Sequence, residues 1–328
     1  MNTKVLIDSR WAGNTGIGRL YREVMDRKPP HVVGEHVKSN MRLGSLYSPF
    51  MLGKAIRSST ADIFYSPSFM PPAFSSIPFV ITIHDLMHLF YYSPLHKIYY
   101  QQVIARLAKK AKKIITVSHH SKQQLVQLLG IDEHLITVIY NGVDERFIQN
   151  EERIKLDRPY LLYIGNRRKN KNIPAMIRAF ARAAIDKEII FALSGEPDTF
   201  LLQEAERSGV RERIKFLGFI QEETLPQLYK GALVTLYASL MEGFGLPILE
   251  AMASGTPVLT SNVSSLPEIA GPGALCVDPF NINEMANGIE QLVNNNELRN
   301  YYIEEGRKRI NAFQWEHTAI QTWKAILS

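Results

Sequence analysis

Residues 242–257 read Glu242-Gly243-Phe244-Gly245-Leu246-Pro247-Ile248-Leu249-Glu250-Ala251-Met252-Ala253-Ser254-Gly255-Thr256-Pro257, and they lie between two short apolar runs, at 234–237 and 258–260. The segment reads as loop, helix, stop and strand. Gly243 and Gly245 let the backbone approach a ligand, Pro247 suits the first helical position, and Gly255 suits the position just past a helix end. A helix amino terminus behind glycines offers unpaired N–H groups and the positive end of the helix dipole, a natural seat for a diphosphate. Two carboxylates beside an anion need another task, and Glu242 and Glu250 suit hydrogen bonds from sugar hydroxyls. Alone, each would read as an ordinary solvated charge. The glycine-proline frame sets them apart.

The same alternation of short β-rich runs and longer helical patterns extends to both ends of the chain, which is the signature of βα units stacking parallel sheets. In the front half it predicts strands at residues 4–7, 63–65, 79–83, 114–117 and 136–139. In the second half it predicts strands at 160–164, 189–193, 214–217, 234–237, 258–260 and 275–277, and the chain ends in helices. Ser118 caps a helix that Gly130 ends. Residues 144–158 are dense in charge and lack a core pattern, so they read as a linker. The stretch 38–57 carries no assignable pattern. The division is therefore 1–150, 151–312 and a closing segment, 313–328.

With 328 residues, 45% hydrophobic and 21% charged, the composition is that of a folded two-domain protein rather than a disordered one. The single cysteine, Cys276, excludes an internal disulfide framework, and its apolar setting predicts a small buried side chain in a reducing, cytoplasmic compartment. The first residues meet Asp8 after three apolar positions, which predicts neither a signal peptide nor a spanning helix. Residues 1–150 hold 18 Lys and Arg against 10 Asp and Glu, and the remainder holds 20 against 22. A basic front half suits nucleic acid, an anionic membrane or an anionic substrate. No recognition motif or stacking pattern accompanies the cations, so nucleic acid is not expected.

The Glu-x7-Glu pattern with Gly-Phe-Gly-Leu-Pro inside it resembles the retaining family-four glycosyltransferases. Other segments resemble that family in the same order: Gly13-Asn-Thr-Gly16-Ile-Gly18-Arg19, Thr82-Ile-His84-Asp85, Gly165-Asn166-Arg167-Arg168-Lys169-Asn170-Lys171-Asn172, Asn141-Gly142-Val143-Asp144, Leu266-Pro267-Glu268 and Phe313-Gln-Trp315. The resemblance implies a GT-B fold, an α/β architecture of two Rossmann-like parallel-sheet domains facing a central cleft. It also implies a last helix that crosses back to the amino-terminal, acceptor-binding domain.

By that resemblance Gly16 and Gly18 belong to a donor-facing loop; as a dinucleotide fingerprint the loop fails, because Tyr21 stands where a third glycine is needed. His84, at a strand end, implies contact with the donor sugar. Lys171, with Arg167 and then Arg168 after Gly165, implies neutralisation of the donor diphosphate. Many members carry arginine directly after the glycine, where this chain has Asn166. Gly243, Phe244, Gly245, Leu246 and Glu250 imply the nucleotide seat, and Glu242 a contact with the transferred sugar.

A retaining glycosidase also uses two carboxylates, but hydrolysis needs no diphosphate seat. No Asp-x-Asp occurs in the chain, so transfer is expected to need no metal and no cofactor. The expected donor is GDP-mannose, with UDP-sugars next. The expected acceptor is a glycan or lipid-linked glycan of bacterial polysaccharide synthesis. Arg106, Lys109, Lys110, Lys112 and Lys113, beside Ile98, Val103, Ile104 and Leu107, suggest peripheral contact with an anionic membrane. A GT-B sugar nucleotide epimerase and a catalytically silent nucleotide-sugar-binding protein are the alternatives; turnover with an acceptor separates all three.

Overall fold

The structure, a computed structural model, describes residues 2–13, 15–37, 43 and 45–328. The chain divides into two compact units, one of Met1–Gly142 with Trp315–Ser328 and the other of Val143–Gln314.

The first unit is built on strands β1 (Thr3–Ile7), β2 (Val32–His36), β3 (Ile63–Ser66), β4 (Phe79–Ile83), β5 (Lys113–Thr116) and β6 (Ile136–Val138). They form one parallel sheet in the order β2-β1-β3-β4-β5-β6. β3 and β4 are buried along their whole length, as expected of strands covered by helices on both faces. Leu6, Phe64, Ile81, Ile114 and Leu125 belong to one apolar core. Ser118 caps the helix His119–Leu129 by accepting from the Ser121 N–H at 3.1 Å, and Gly130 ends it at φ +59°. The last helix, Trp315–Leu327, packs in this unit. Trp323 donates its indole N–H to the Val24 carbonyl at 2.8 Å, and Thr318 donates to that of Tyr140 at 2.7 Å.

The second unit repeats the architecture with β7 (Tyr160–Tyr163), β8 (Ile190–Leu193), β9 (Ile214–Phe216), β10 (Val234–Tyr237), β11 (Val258–Ser261) and β12 (Leu275–Val277). Their parallel order is β12-β11-β10-β7-β8-β9.

Two elements escape the sequence pattern. β2 is an edge strand whose residues are mostly half-buried or exposed, so Val32-Val33-Gly34-Glu35-His36 shows no clean alternation. The helix Ser48–Arg57 falls in the stretch without a pattern, of which residues 38–42 and 44 lie outside the described residues. Its Gly53 lies under the Phe74 ring, which a Cβ there would meet at 2.8 Å. The expected linker is also partly structured. Asp144 caps the helix Glu145–Gln149, and Phe147 is fully buried edge-on to Tyr229 at 5.9 Å. The boundary thus falls at Val143 rather than after residue 150. Cys276 is half-buried, not core, because β12 is an edge strand; burial raises its thiol pKa.

Candidate functional site

The strand ends of the second unit gather most of the residues singled out in the sequence. β10 ends at Tyr237, and the loop after it carries Glu242 into the helix Leu246–Ala253. Ser264 and Ser265 brace this loop. The Ser264 hydroxyl accepts from the Glu242 N–H at 2.9 Å and donates to the Glu242 carbonyl at 2.7 Å. The Ser265 hydroxyl lies 3.0 Å from the carbonyls of both Glu242 and Phe244. Phe244 packs edge-on against Phe313 at 5.9 Å, so its side chain anchors the loop in the core. Gly245 adopts φ +121°, and a Cβ there would meet Leu266 at 2.8 Å, so both backbone and packing demand glycine. With Pro247 in the first turn, the N–H groups at Gly245 and Leu246 head the helix without an intrahelical acceptor.

Both carboxylates are buried: Glu242 is 7% exposed and Glu250 8%. A buried carboxylate demands partners. Glu242 has Lys171, whose ammonium lies 2.7 Å from its Oε1, and the Tyr237 hydroxyl, which donates to the same oxygen at 3.2 Å. Lys171 in turn donates to the Tyr237 hydroxyl at 2.7 Å, closing a three-membered network. Glu250 accepts from the Tyr229 hydroxyl at 3.1 Å. Burial and then the adjacent carboxylate push both phenols well above their ordinary pKa, so they remain protonated donors. Tyr163 stacks on Tyr237 at 6.3 Å and completes the wall behind the pair.

Lys171 is aimed by the turn after β7. Asn170 is buried beside it and donates to the Met241 carbonyl at 2.9 Å. Asn172, in the left-handed region at φ +58°, ties its amide to the carbonyls of Ala238 and Pro279 and starts the helix Ile173–Arg182. Gly165 is locked to Ser194 by hydrogen bonds in both directions at 3.0 Å. Arg167 folds over the Phe216 ring at 4.9 Å and donates to the Ser194 carbonyl at 3.1 Å, while the Arg168 side chain is exposed. Tyr237 and Tyr229 were not singled out in the sequence, since tyrosine at a strand end or in a helix reads as core. Tyr237 stands five residues before Glu242, which was the available signal, whereas Tyr229 stands 21 residues before Glu250 and gave none.

The remaining candidates lie in the first unit. His84 follows β4, and its Nε2–H donates to the Pro67 carbonyl at 2.9 Å, which leaves Nδ1 as an acceptor. Desolvation lowers its pKa, against smaller opposing effects of that hydrogen bond and Asp85. Gly16 opens the helix Gly16–Asp26 on the surface, with Thr15 accepting from the Gly18 N–H at 3.2 Å. Gly18 is fixed by close approach, because a Cβ would overlap the Gly13 carbonyl oxygen at 1.7 Å. Asn14 of that loop lies outside the described residues. Among the described residues no three His, Cys, Asp or Glu side chains gather as a metal site would require.

Residues 144–309 match the family model described as Glycosyl transferases group 1, and residues 11–147 match Glycosyltransferase Family 4. O-antigen chain mannosyltransferase B of Escherichia coli is 31% identical over 289 residues, covering 83% of this chain and 75% of that protein. O-antigen chain mannosyltransferase RfbU of Salmonella typhimurium is 32% identical over 203 residues, 61% of this chain and 56% of that protein. Among solved structures, Anabaena HepE in complex with UDP and glucose superposes with TM-score 0.81 at 19% identity, over 99% of this chain and 100% of that one. WaaG, a glycosyltransferase involved in lipopolysaccharide biosynthesis, does so with TM-score 0.75 at 16% identity, over 98% and 99%. The two six-stranded parallel sheets are those of the GT-B glycosyltransferases. This chain belongs to the glycosyl transferases of group 1, with a family-four amino-terminal half, and is a glycosyltransferase.

Proposed function

We propose that the chain moves mannose from a nucleoside diphosphate donor to a glycan or lipid-linked glycan in cell-surface polysaccharide synthesis, with retention at the anomeric carbon. GDP-mannose is the first donor to test and a UDP-sugar the next. The observation that carries this reading is the buried Lys171–Glu242 pair just ahead of the helix Leu246–Ala253. A cation, two held carboxylates and helix N–H groups suit a sugar diphosphate, whose phosphates take the positive groups and whose hydroxyls donate to carboxylates. Relatives that are mannosyltransferases of O-antigen chains support the sugar.

Transfer breaks the anomeric bond, with positive charge growing on the sugar and negative charge on the departing diphosphate. Lys171, Arg167 or Arg168, and the amides at Gly245 and Leu246 stabilise that diphosphate in place of a metal ion. Glu242 holds a hydroxyl of the transferred sugar and Glu250 one of the ribose. His84, in the first unit, offers Nδ1 to a sugar hydroxyl. Retention follows from front-side attack, with the leaving phosphate taking the acceptor's proton.

We further propose peripheral contact with an anionic membrane through the first unit. Arg106, Lys109, Lys110 and Lys112 are exposed, and Ile98 and Val103 face solvent near them at 56% and 37% exposure. Ile104 is buried, and Lys113 is occupied by the His134 carbonyl at 3.1 Å, so neither joins that surface. Among the described residues no helix is long and apolar enough to cross a membrane.

The test is calorimetric titration of GDP, UDP and ADP into wild type and Glu250→Ala with EDTA present, followed by turnover with the preferred nucleotide's sugar. One nucleotide should bind, with affinity reduced in the variant, and the product's anomeric proton should match the donor's. Binding that requires a divalent ion, or an inverted product, would overturn the metal-free and retaining parts respectively.

A further inference from the structure

The buried Glu242 carboxylate has to be oriented as well as neutralised. An ammonium is a compact charge with three rotatable donors, so Lys171 by itself attracts either carboxylate oxygen, or both, without choosing between them. The terminal torsion of a glutamate is broad and roughly two-fold, so the side chain supplies no preference of its own. Yet Lys171 and Tyr237 both meet Oε1, at 2.7 and 3.2 Å. Oε2 takes no hydrogen bond among the described residues and is not enclosed. One oxygen is held and the other is left open.

The directional partner is the phenol. Tyr237 is the last residue of β10 and 2% exposed, and its ring stacks on Tyr163 of the neighbouring β7 at 6.3 Å with the planes 16° apart. The Tyr163 hydroxyl is itself tied to the Asn166 carbonyl at 2.6 Å, and Thr260 of β11 donates to the Tyr237 carbonyl at 2.9 Å. Ring and backbone are therefore both fixed, and the hydroxyl has one proton to give. It accepts from Lys171 at 2.7 Å, so its own proton is directed to Glu242. The Glu242 main chain is pinned separately, by Ser264 at its N–H and by Ser264 and Ser265 at its carbonyl. With the backbone and Oε1 held, Oε2 has a set direction.

We propose that Tyr237 is a positioning residue for transfer: its hydroxyl holds one oxygen of Glu242 so that the other is aimed at a hydroxyl of the transferred sugar. Lys171 gives one proton to Glu242 and one to Tyr237, and keeps its third for the diphosphate. A carboxylate already turned toward the sugar needs no reordering when the donor arrives. The role rests on the donor reading above and adds to it a residue that touches neither sugar nor phosphate. Packing is the competing explanation, and a phenylalanine ring would serve packing equally well.

The experiment compares wild type, Tyr237→Phe, Glu242→Gln and the double variant. Calorimetry measures GDP and UDP on each, and then GDP-mannose or UDP-glucose according to the nucleotide that binds; urea unfolding verifies the fold. Phenylalanine keeps the stacked ring, so only the hydroxyl is removed.

Tyr237→Phe should bind the sugar nucleotide about three- to tenfold more weakly than wild type, the loss expected when one side chain must be ordered on binding. The bare nucleotide should bind with the same affinity within about twofold, because Glu242 meets the sugar and not the phosphates. In the Glu242→Gln background the tyrosine substitution should add nothing further, since both changes act on one contact. Unchanged sugar-nucleotide affinity in Tyr237→Phe, a parallel fall for nucleotide and sugar nucleotide, loss of the fold, or additive effects in the double variant would each overturn the positioning role alone. A wild type that binds neither GDP nor UDP would overturn the donor reading itself, and the role with it.

Discussion

Replacing Lys171 by methionine leaves the Glu242 carboxylate buried with no counter-charge. The pair is 2.7 Å apart, with side chains 10% and 9% exposed, so water cannot replace the ammonium without opening the loop. Removing one member of such a pair costs about 3–5 kcal/mol, whereas removing both charges is close to neutral. Lys171→Met should therefore lower the stability of the second unit by about 3–5 kcal/mol, and Lys171→Met with Glu242→Gln should recover most of it. The assay follows from where the tryptophans are. All three, Trp11, Trp315 and Trp323, lie in the first unit, so their fluorescence in urea is an internal control that should not move. Hydrogen exchange of peptides spanning the helix Leu246–Ala253 reads the second unit. A loss below about 1 kcal/mol, the value of an exposed ion pair, or a double variant no better than Lys171→Met, would refute the reasoning.

Gly245→Ala forces a non-glycine residue to φ +121° and should cost about 1–3 kcal/mol, with nucleotide affinity falling alongside; calorimetry and urea titration would detect it, and unchanged affinity would argue against the loop as the anion seat. His84 is held neutral by desolvation, so as pH falls below its ordinary value of 6.5 the unfolded chain takes up the proton first and stability declines. His84→Gln should abolish that part of the acid slope, and an identical slope in both proteins would refute the assignment. Lys109→Glu with Lys110→Glu and Lys112→Glu should weaken cosedimentation with phosphatidylglycerol vesicles at least tenfold, each cation near the surface being worth about 1 kcal/mol; undiminished binding would remove the membrane proposal.

The parallel sheets were legible because buried strands such as Phe79-Val-Ile-Thr-Ile83 are continuous apolar runs bounded by turns. β2 was not, since at the sheet edge only its Val32 is buried and the rest of the strand shows no alternation. In the site, Glu242, Glu250 and Lys171 stood out through glycines and spacing. What the sequence could not supply was their burial. Glutamate is usually solvated, and the hydroxyls of Tyr237 and Tyr229, reaching in from β10 and the helix Leu225–Gly231, join Lys171 in holding the two carboxylates. The buried Asp8–Arg10 ion pair was equally hidden, because two residues of opposite charge beside a strand end read as solvent-facing.

The return of the last helix to the first unit has a consequence for biosynthesis. Residues 315–328 supply Trp315, Trp323 and Ile326 to the core of a unit whose other members precede Val143. Gly142 has room for no side chain, because the Trp315 backbone nitrogen would lie 2.2 Å from its Cβ. On the ribosome the amino-terminal sheet emerges first, yet the groove that Trp323 fills stays open until residues 315–328 have been made. The second unit, continuous from Val143 to Gln314, can close while its predecessor waits. A fragment ending at Gly142 would expose that groove permanently, and a chaperone acting on the nascent chain would find its apolar target there rather than at the later-made half.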